Sequence, residues 1–337
     1  MNNTRILFIC RERLSAYGNS IGLVNSAQFL ATYLSEHYKM QTKVVTVVDS
    51  NGIDKEVHAF KPSHVVIHAL WVPGYKLLQL LPKYPKVQWI VRIHSKIPFL
   101  ANEGIAVEWL KEYQYIQKKC HNLIISANSV ECTDALNLSM DLKCVYLPNI
   151  YDPIEPRPKP IKDPKHLDIG CFGAIRPMKN QLIQAMAAIA FGNDLGKKIR
   201  FHINASRTEQ KGDTVLKNLR ALFKNTGHEL VEHGWLDHKD FLKLISTMDI
   251  GLQVSLTETF NIVAGDFVHC GIPIVVSDEI SWMPCYAQAN PHDIYDIVAK
   301  LHNNVDSKWF KTWLNRKALN RSNRIAGEIW GDYLRRS

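Results

Sequence analysis

The residues from 255 to 278 carry the strongest chemical pattern in the chain, SLTETFNIVAGDFVHCGIPIVVSD. A strand that ends near Val254 leads into a turn that presents Glu258, and a helix then runs to Cys270. Asp266 comes eight positions after Glu258, a separation of about 12 Å along a helix axis. Paired carboxylates that act on one glycosidic bond lie only about 5–9.5 Å apart. The spacing therefore matches the two ends of a sugar nucleotide; the alternative for Asp266 is a solvated acid on a helix face.

Two cations stand where another helix begins. After a predicted strand over Leu167–Phe172 the chain reads GAIRPMKN, in which Gly173 opens a turn and Arg176 and Lys179 precede the helix. Cations at this end of a helix oppose its dipole unless an anion lies between them. A diphosphate would supply that anion, because arginine offers a bidentate fork and lysine a point charge. The alternative is two solvated surface cations.

A turn with two glycines also follows the first predicted strand. Gly18 and Gly22 flank the start of a helix near Ile21, where amide groups favour a phosphate. The segment has neither the G-x-G-x-x-G pattern nor the lysine of a phosphate-binding loop, so a plain tight turn is the alternative. His64 and His68 have the spacing of metal ligands on a helix, but SHVVIHALW is typical of a buried strand and predicts ordinary packing.

The composition is that of an ordinary globular protein. Of 337 residues, 46% are apolar and 22% are charged, which excludes a wholly disordered, collagen-like or coiled-coil chain. No apolar run approaches the ~18 residues of a membrane helix, and the N-terminus resembles a first strand more than a signal peptide. We therefore expect a cytoplasmic protein. The seven cysteines include no C-x-x-C pair, which favours buried free thiols over disulfides or a zinc site.

Predicted strands and helices alternate along the chain, which is typical of α/β proteins with parallel sheets covered on both faces. Six prolines between 148 and 166 mark the clearest boundary, because proline fits neither a helix interior nor a central strand. We predict a Rossmann-like domain over 1–150, a linker over 151–166, a second Rossmann-like domain over 167–305 and a C-terminal helix over 306–337. Ligands of such doubly wound folds bind beyond the carboxyl ends of the strands, here in a cleft between the halves.

Taken together, these motifs resemble the retaining glycosyltransferases of family 4, which have the GT-B fold. The resemblance covers nearly the whole chain. It is carried by VVIHALW, VRIHS at a strand end, LPNIYD at the hinge, GAIRPMKN, ETF with an acid eight positions after its Glu, and GIPIVVSD. It implies an acceptor domain and a nucleotide-sugar donor domain that face a central cleft, with a C-terminal helix crossing back to the first domain.

The resemblance also implies roles for single residues. Arg176 and Lys179 would bind the donor diphosphate, Glu258 would hold sugar hydroxyls, and Asp266 would hold the ribose hydroxyls. The full set that would contact the donor falls in four short segments: Gly22, Gly173, Arg176, Lys179, Glu258, Thr259, Phe260, Asn261 and Asp266. The residues expected at the reacting sugar or its leaving group are Glu258, Lys179, Arg176 and His94.

The implied reaction is transfer of a hexose or pentose from a nucleoside diphosphate, with UDP the expected one, to an acceptor hydroxyl. The resemblance implies a front-face mechanism, in which the departing phosphate takes the acceptor proton. No metal and no resident cofactor are expected, because cations and helix N-termini neutralise the leaving diphosphate.

Three positions depart from the family pattern. Asp266 stands where the family usually has glutamate, so its carboxylate is one methylene shorter. Asn261 replaces the usual glycine, which predicts crowding near the donor sugar. Arg176 stands three residues after Gly173 instead of directly after it, so its diphosphate contact is less secure than that of Lys179.

The acceptor stays open at this stage. The segment 307–337 holds eight Lys/Arg and two acids, although the whole chain has a net charge of only +9. It has two apolar stripes, one that includes Trp309 and Trp313 and one that includes Trp330 and Leu334, which favour packing on the first domain. Its cations would suit a polyanion, either nucleic acid or anionic lipid. A hydroxymethylated pyrimidine in DNA, the acceptor of some bacteriophage enzymes, is preferred slightly over a glycan or lipid acceptor. The enzyme would then have to flip the target base out of the duplex to bring its hydroxyl to the donor.

Two other functions remain as alternatives. A sugar-nucleotide epimerase would need no acceptor, and a binding module would hold the donor without turnover; a fold alone excludes neither. The sequence does not indicate an oligomeric state.

Overall fold

The computed structural model describes residues 4–12, 21–158, 166–306 and 308–336, and twelve strands lie within these ranges. The strands of the first sheet are β1 (Arg5–Arg11), β2 (Gln41–Val47), β3 (His64–His68), β4 (Gln88–Ile93), β5 (Leu123–Ala127) and β6 (Cys144–Tyr146). Those of the second are β7 (Leu167–Gly170), β8 (Ile199–Asn204), β9 (Glu229–His233), β10 (Ile250–Gln253), β11 (Ile274–Ser277) and β12 (Gln288–Ala289).

Both sheets are parallel throughout. The strand order is β2-β1-β3-β4-β5-β6 in the first sheet and β12-β11-β10-β7-β8-β9 in the second. In each sheet the chain returns past its starting strand to extend the opposite edge, the doubly wound arrangement that the alternation of elements predicts. The α/β prediction is confirmed.

Helices connect the strands. In the first half they are α1 (Ile21–Tyr38), α2 (Gly52–Phe60), α3 (Gly74–Lys83), α4 (Ile97–Leu100), α5 (Ala106–Lys119) and α6 (Val130–Met140). In the second half they are α7 (Gln181–Asp194), α8 (Gly212–Phe223), α9 (His238–Ile245), α10 (Ile262–Cys270), α11 (Ile294–Asp306) and α12 (Lys308–Arg336). Short 3₁₀ turns occupy Pro177–Lys179 and Cys285–Ala287.

The central strands are apolar on both faces because each sheet is covered on both sides. In β1, Leu7 and Ile9 belong to one core cluster, while Ile6 and Phe8 belong to another, and all four are fully buried. Alternate residues of a strand point to opposite faces, so one short strand supplies both cores. This explains why the strands read as continuous apolar runs in the sequence.

The chain divides into two compact units, with the division between Ile154 and Glu155 and again between Arg321 and Ser322. The first of these points falls inside the proline-rich stretch. Residues 159–165 of the predicted linker lie outside the described residues, as does Gly18. Because of the second division, α12 contributes its last fifteen described residues to the first unit.

The two apolar stripes of α12 behave differently. Trp330 and Leu334 are buried in the first unit against Ile6 and Phe8, and the indole Nε1 of Trp330 donates to the carbonyl of Pro148 at 2.8 Å. The crossing of the C-terminal helix back to the first unit is thereby confirmed. The stripe that includes Trp309 is largely exposed, so the expectation that both stripes pack is wrong for this one.

None of the helices in the described part of the chain combines the length and the apolar character needed to span a bilayer. Five of the seven cysteines are buried, as their apolar surroundings in the sequence predict, and Cys285 is exposed.

Candidate functional site

A turn between β10 and α10 positions Glu258. Asn261 lies directly before α10, with a φ of 60°. This left-handed backbone is adopted mainly by glycine and, among other residues, by asparagine. The Asn261 side chain is buried, and its Oδ1 accepts from the amide of Ala264 at 2.9 Å, so it caps the helix. The side chain is turned into the protein, where it serves as the helix cap; the predicted crowding of a donor sugar stays a prediction.

The central contact of the site is an ion pair between Lys179 and Glu258, formed by Nζ and Oε2. Lys179 ends the 3₁₀ turn after β7, and Glu258 follows β10, the neighbouring strand in the second sheet. Both side chains are only 13% exposed. Because carboxyl ends of adjacent parallel strands lie together, two residues 79 positions apart meet in one site.

Asn261 binds the same oxygen of this carboxylate. Its Nδ2 donates to Oε2 of Glu258 at 3.1 Å and to Oε1 of Gln253 at 2.9 Å. Burial by itself raises the pKa of Glu258, but the charges of Lys179 and Arg176 and the hydrogen bond from Lys179 outweigh it, so the pKa lies below its usual value. Glu258 is therefore ionised at neutral pH and is a fixed acceptor for hydroxyl groups.

The backbone after Glu258 is held by an aromatic pair. The rings of Phe260 and Trp282 stack with centroids 5.2 Å apart, and Trp282 Nε1 donates to the carbonyl of Phe260 at 2.7 Å. The amide of Thr259 lies 3.3 Å from Oε1 of Glu258. The predicted set Lys179, Glu258, Thr259, Phe260 and Asn261 is thus continuous in space.

Gly173 adopts a φ of 111°, a conformation that L residues rarely reach, so the turn requires glycine for its backbone. Its amide donates to Oδ1 of Asn204 at 2.9 Å. In this arrangement the amide already has an acceptor, and Gly173 shapes the loop that carries Arg176 and Lys179.

Arg176 belongs to a second charged group that the sequence analysis missed in part. Its Nη1 lies 3.1 Å from Oε2 of Glu209, and Arg207 Nε donates to the other oxygen of that carboxylate at 2.9 Å. The guanidinium of Arg207 also lies 4.8 Å from the ring centre of Trp235. One carboxylate thus balances two arginines, and the group keeps a positive charge. The signal was available, since the loop after β8 must adjoin the loop after its neighbour β7.

The carboxylate of Asp266 has a histidine partner. Its side chain is 2% exposed, and Oδ1 lies 2.8 Å from Nε2 of His238, whose Nδ1 lies 3.1 Å from Oε2 of Glu155. The partner that a carboxylate among apolar residues requires is therefore His238 at the start of α9, which the sequence analysis did not single out. The ribose contact assigned to Asp266 stays a prediction.

A pH dependence follows from His238. Burial lowers its pKa, but the hydrogen bond and charge of Asp266, together with Glu155, outweigh burial, and the pKa is raised above 6.5. The stabilisation is then complete below pH 6.5 and is lost as the pH rises through the raised pKa. We expect the unfolding free energy to fall above pH 6.5, and to fall less in His238→Gln, in denaturant titrations at several pH values. Parallel curves for the two proteins would contradict this.

Asn261 gives a second local prediction. Asn261→Ala removes the cap of α10 and places an alanine at positive φ, and we expect a loss of about 2 kcal/mol in unfolding free energy. Asn261→Gly also removes the cap but suits the backbone, so its cost is expected to be smaller by about 1 kcal/mol. Urea titration of both variants measures the difference, and equal costs would contradict the backbone argument.

The first unit holds the other two predicted residues. Gly22 is the second residue of α1, and a Cβ placed on it would meet no heavy atom within 4 Å. His94 follows β4, and its Nε2 lies 3.2 Å from Nη1 of Arg92 and 2.9 Å from Nδ1 of His68. The metal-ligand alternative for His64 and His68 gains no support, since His64 contacts Ser63 at 2.9 Å.

The hydrogen bonds assign the protons of this group. A guanidinium only donates, so Nε2 of His94 accepts from Arg92, and the single proton of the neutral ring is on Nδ1. Nδ1 of His68 also lies 2.9 Å from Nε2 of His94, whose single lone pair is engaged by Arg92. Burial first, and the charge of Arg92 second, hold the pKa of both histidines well below 6.5. His94 is therefore a neutral N–H donor and not a base.

Arg92 itself is fully buried. Its Nε and Nη2 donate to the carbonyl of Leu147 at 3.2 and 3.1 Å, and Nη2 also donates to Oδ1 of Asn149. Burial lowers its pKa to about 9, which leaves the guanidinium charged at neutral pH. Within the described ranges it forms no ion pair with a carboxylate. Arg92 is not among the predicted site residues, because it stands within the apolar strand that ends in VRIHS.

Comparison with family models and with curated proteins finds no match. Solved structures do match over nearly the full length. Sucrose-phosphate synthase from Thermosynechococcus elongatus is 13% identical, with 99% of this chain and 98% of that one covered and a TM-score of 0.66. Anabaena HepE in complex with UDP and glucose is 14% identical, with 99% and 100% covered and a TM-score of 0.64.

A trehalose-6-phosphate synthase, studied for enzymatic glycosyl transfer with retention, is 13% identical, with 98% of this chain and 93% of that one covered and a TM-score of 0.60. At such identities the likeness establishes the fold. The chain has the α/β fold of GT-B glycosyltransferases, as the sequence motifs predict.

Proposed function

We propose that the protein is a retaining glycosyltransferase that moves a sugar from a nucleoside diphosphate, with UDP preferred, to an acceptor hydroxyl. The observation that carries the proposal is the buried group of Lys179, Glu258 and Asn261 at the carboxyl ends of β7 and β10. It combines a cation suited to a diphosphate with an ionised carboxylate suited to sugar hydroxyls.

Charge stabilisation is the catalytic principle of this site. As the bond between sugar and diphosphate breaks, negative charge grows on the leaving phosphate, and Lys179 and Arg176 are placed to neutralise it. Donor binding would exchange part of the contact of Lys179 with Glu258 for contacts with the ligand. The roles that the sequence motifs imply for His94 and Gly22, which lie in the first unit, stay predictions. The departing phosphate would take the acceptor proton, so the proposal needs no protein nucleophile and no metal.

Two of the structurally similar proteins support the choice of UDP as donor nucleotide and of a retaining mechanism. HepE is described with UDP and glucose, and trehalose-6-phosphate synthase is described for transfer with retention. A hexose donor is accordingly tested first, with a pentose second. The DNA acceptor has no support among these relatives and stays a prediction of the sequence, beside a glycan or lipid acceptor.

The test follows the donor and the DNA in one tube. The protein is incubated with UDP- and GDP-sugars and with hydroxymethylated or unmodified duplex DNA, and free nucleoside diphosphate and modified nucleosides are measured by mass spectrometry. Donor turnover with unchanged DNA supports the transferase and removes the DNA acceptor. An isomerised sugar nucleotide without release of diphosphate supports the epimerase. Donor binding without turnover of any donor supports the binding module.

A further inference from the structure

Three aromatic side chains at the start of α12 are exposed. Trp309 is 82% exposed, Phe310 55% and Trp313 42%. Side chains of this size are mostly buried in folded proteins, and a contiguous exposed group marks a contact surface. All three belong to the second unit, and none contributes to its described core clusters.

The same face of the helix continues as a basic surface. Trp313, Lys317 and Arg321 follow one another at intervals of four, which places them in one row, and all three are exposed. From Ser307 to Gly327 the sequence holds six Lys/Arg and no Asp or Glu. The face therefore has an aromatic end and a cationic end, without an acid to oppose an anionic partner.

We infer that this face of α12, defined by Trp309, Phe310, Trp313, Lys317 and Arg321, docks on the surface of an anionic lipid bilayer. Aromatic rings with one polar edge prefer the boundary between headgroups and acyl chains. Lysine and arginine beside them meet the phosphates of anionic lipids, and the attraction decays within a Debye length. The helix lies on the membrane and does not cross it.

The ring contacts favour a bilayer over nucleic acid. Phe310 stacks on Trp313 with centroids 5.9 Å apart, and Nζ of Lys317 lies 3.8 Å from the ring centre of Trp313. Phe310 precedes Trp313 by one turn and Lys317 follows it by one turn, so both lie against this indole and leave less of its ring surface open. A nucleobase stacks on an open ring face. A lipid interface needs only the exposed edges of the rings.

The test is co-sedimentation of the full chain with vesicles, without any nucleotide sugar, so that it does not depend on the proposed reaction. One set of vesicles is an equimolar mixture of phosphatidylglycerol and phosphatidylcholine, and the other is phosphatidylcholine alone. We expect binding to the anionic vesicles, weakened by high salt, and little binding to the zwitterionic ones. Lys317→Gln and Arg321→Gln should each weaken binding about fivefold, and Trp309→Ala about tenfold.

Matched controls lie in the same unit. Lys217 is exposed on α8, Lys224 is exposed directly after the end of α8, and Tyr295 is 84% exposed on α11. Lys217→Gln and Lys224→Gln each remove one positive charge, as each charge substitution in α12 does, and Tyr295→Ala removes an exposed ring. These variants should bind vesicles as the parent protein does. All the substituted residues are exposed, so unfolding curves should stay unchanged and any loss of binding is local.

Several results would overturn the inference. Equal binding to both kinds of vesicle, or none to either, would exclude an anionic bilayer as the partner. If Trp309→Ala changes the molar mass measured by light scattering, the face joins two copies of this chain. If Lys317→Gln weakens a duplex or single-stranded DNA complex in a gel-shift assay but not vesicle binding, the partner is nucleic acid.

Discussion

Lys179→Ala is expected to lower the rate of sugar transfer by about 10²-fold or more, because in the proposed reaction it removes a cation that neutralises the leaving diphosphate. The side chain is only 13% exposed, so its charge acts through a medium less polarisable than bulk water. The loss should appear in donor binding too, and we expect calorimetry to give an affinity for UDP lower by about tenfold.

Glu258→Gln should lower transfer by a similar factor through a different part of the donor. Glutamine keeps the shape of the side chain but loses the charge that strengthens hydrogen bonds to sugar hydroxyls. We therefore expect the affinity for UDP to change little, while the affinity for the UDP-sugar and the turnover both fall. The comparison of the affinities for UDP and for UDP-sugar separates the two residues, because Lys179 is assigned to the diphosphate and Glu258 to the sugar.

An ion pair elsewhere in the same unit provides the control. Arg220 and Glu232 lie 2.7 Å apart at the surface, and Arg220→Ala and Glu232→Gln should leave transfer and UDP affinity unchanged. Rates near those of the parent protein in both Lys179→Ala and Glu258→Gln would refute the site. If the loss of transfer rate in these variants is explained entirely by a loss of unfolding free energy, the ion pair has a structural role only.

Arg92→Met is expected to have the largest effect in the first unit. It removes the Arg92 donors from the buried carbonyl of Leu147 and leaves Oδ1 of Asn149 with only the 3.3 Å bond from Asn128, and we expect a loss of about 3 kcal/mol in unfolding free energy. The second effect is on His94. Without the cation beside it, Nε2 can take a proton, and the pKa of the ring should rise towards 6.5.

Nitrogen-15 spectra of the histidine rings test this directly. In the parent protein the His94 signals should be those of the Nδ1–H tautomer and should not titrate between about pH 5 and 8, where an ordinary histidine does. In Arg92→Met the His94 pKa should be higher than in the parent protein, although burial, the larger cause, still lowers it, and the His94 signals are identified by comparison with His94→Gln. Arg92→Lys keeps the positive charge but loses the planar guanidinium with its several N–H donors. It should therefore lower the unfolding free energy and still hold the pKa of His94 down. Titration of His94 in the parent protein would contradict the proton assignment.

Most strands are predictable because their physical cause is local. The sequence pattern predicts a strand over Ile274–Ser277 and a helix over Lys308–Arg336, and β11 and α12 have these bounds. It predicts β1 over Ile6–Cys10 and β8 over Ile199–Ile203, which differ from the structure by one residue at one end or at both. Apolar runs bounded by turn residues suffice for these. By contrast, α2 and α3 were not predicted: α2 is short and α3 contains Pro82, and their apolar residues become a pattern only when they pack on the first sheet.

The candidate site was predictable where strand ends determine it. Lys179 and Glu258 each follow a strand, and adjacent parallel strands bring such residues together. The pairing of Asp266 with His238 depends on how α9 packs on α10, which no local pattern specifies. Asn261 was predicted to crowd a sugar, since the sequence shows the replacement of a glycine but not the direction of its side chain.

The position of Trp330 has a consequence for how the protein is made. The core that β1 and α1 need is completed by Trp330 and Leu334, more than three hundred residues further along the chain. A ribosome adds about 5–20 residues per second, so β1 waits for tens of seconds before its last neighbours exist. During that time the second unit, whose core clusters need nothing beyond Arg321, can already fold. The order of folding is therefore expected to reverse the order of synthesis, with the first unit held open for chaperones until α12 arrives.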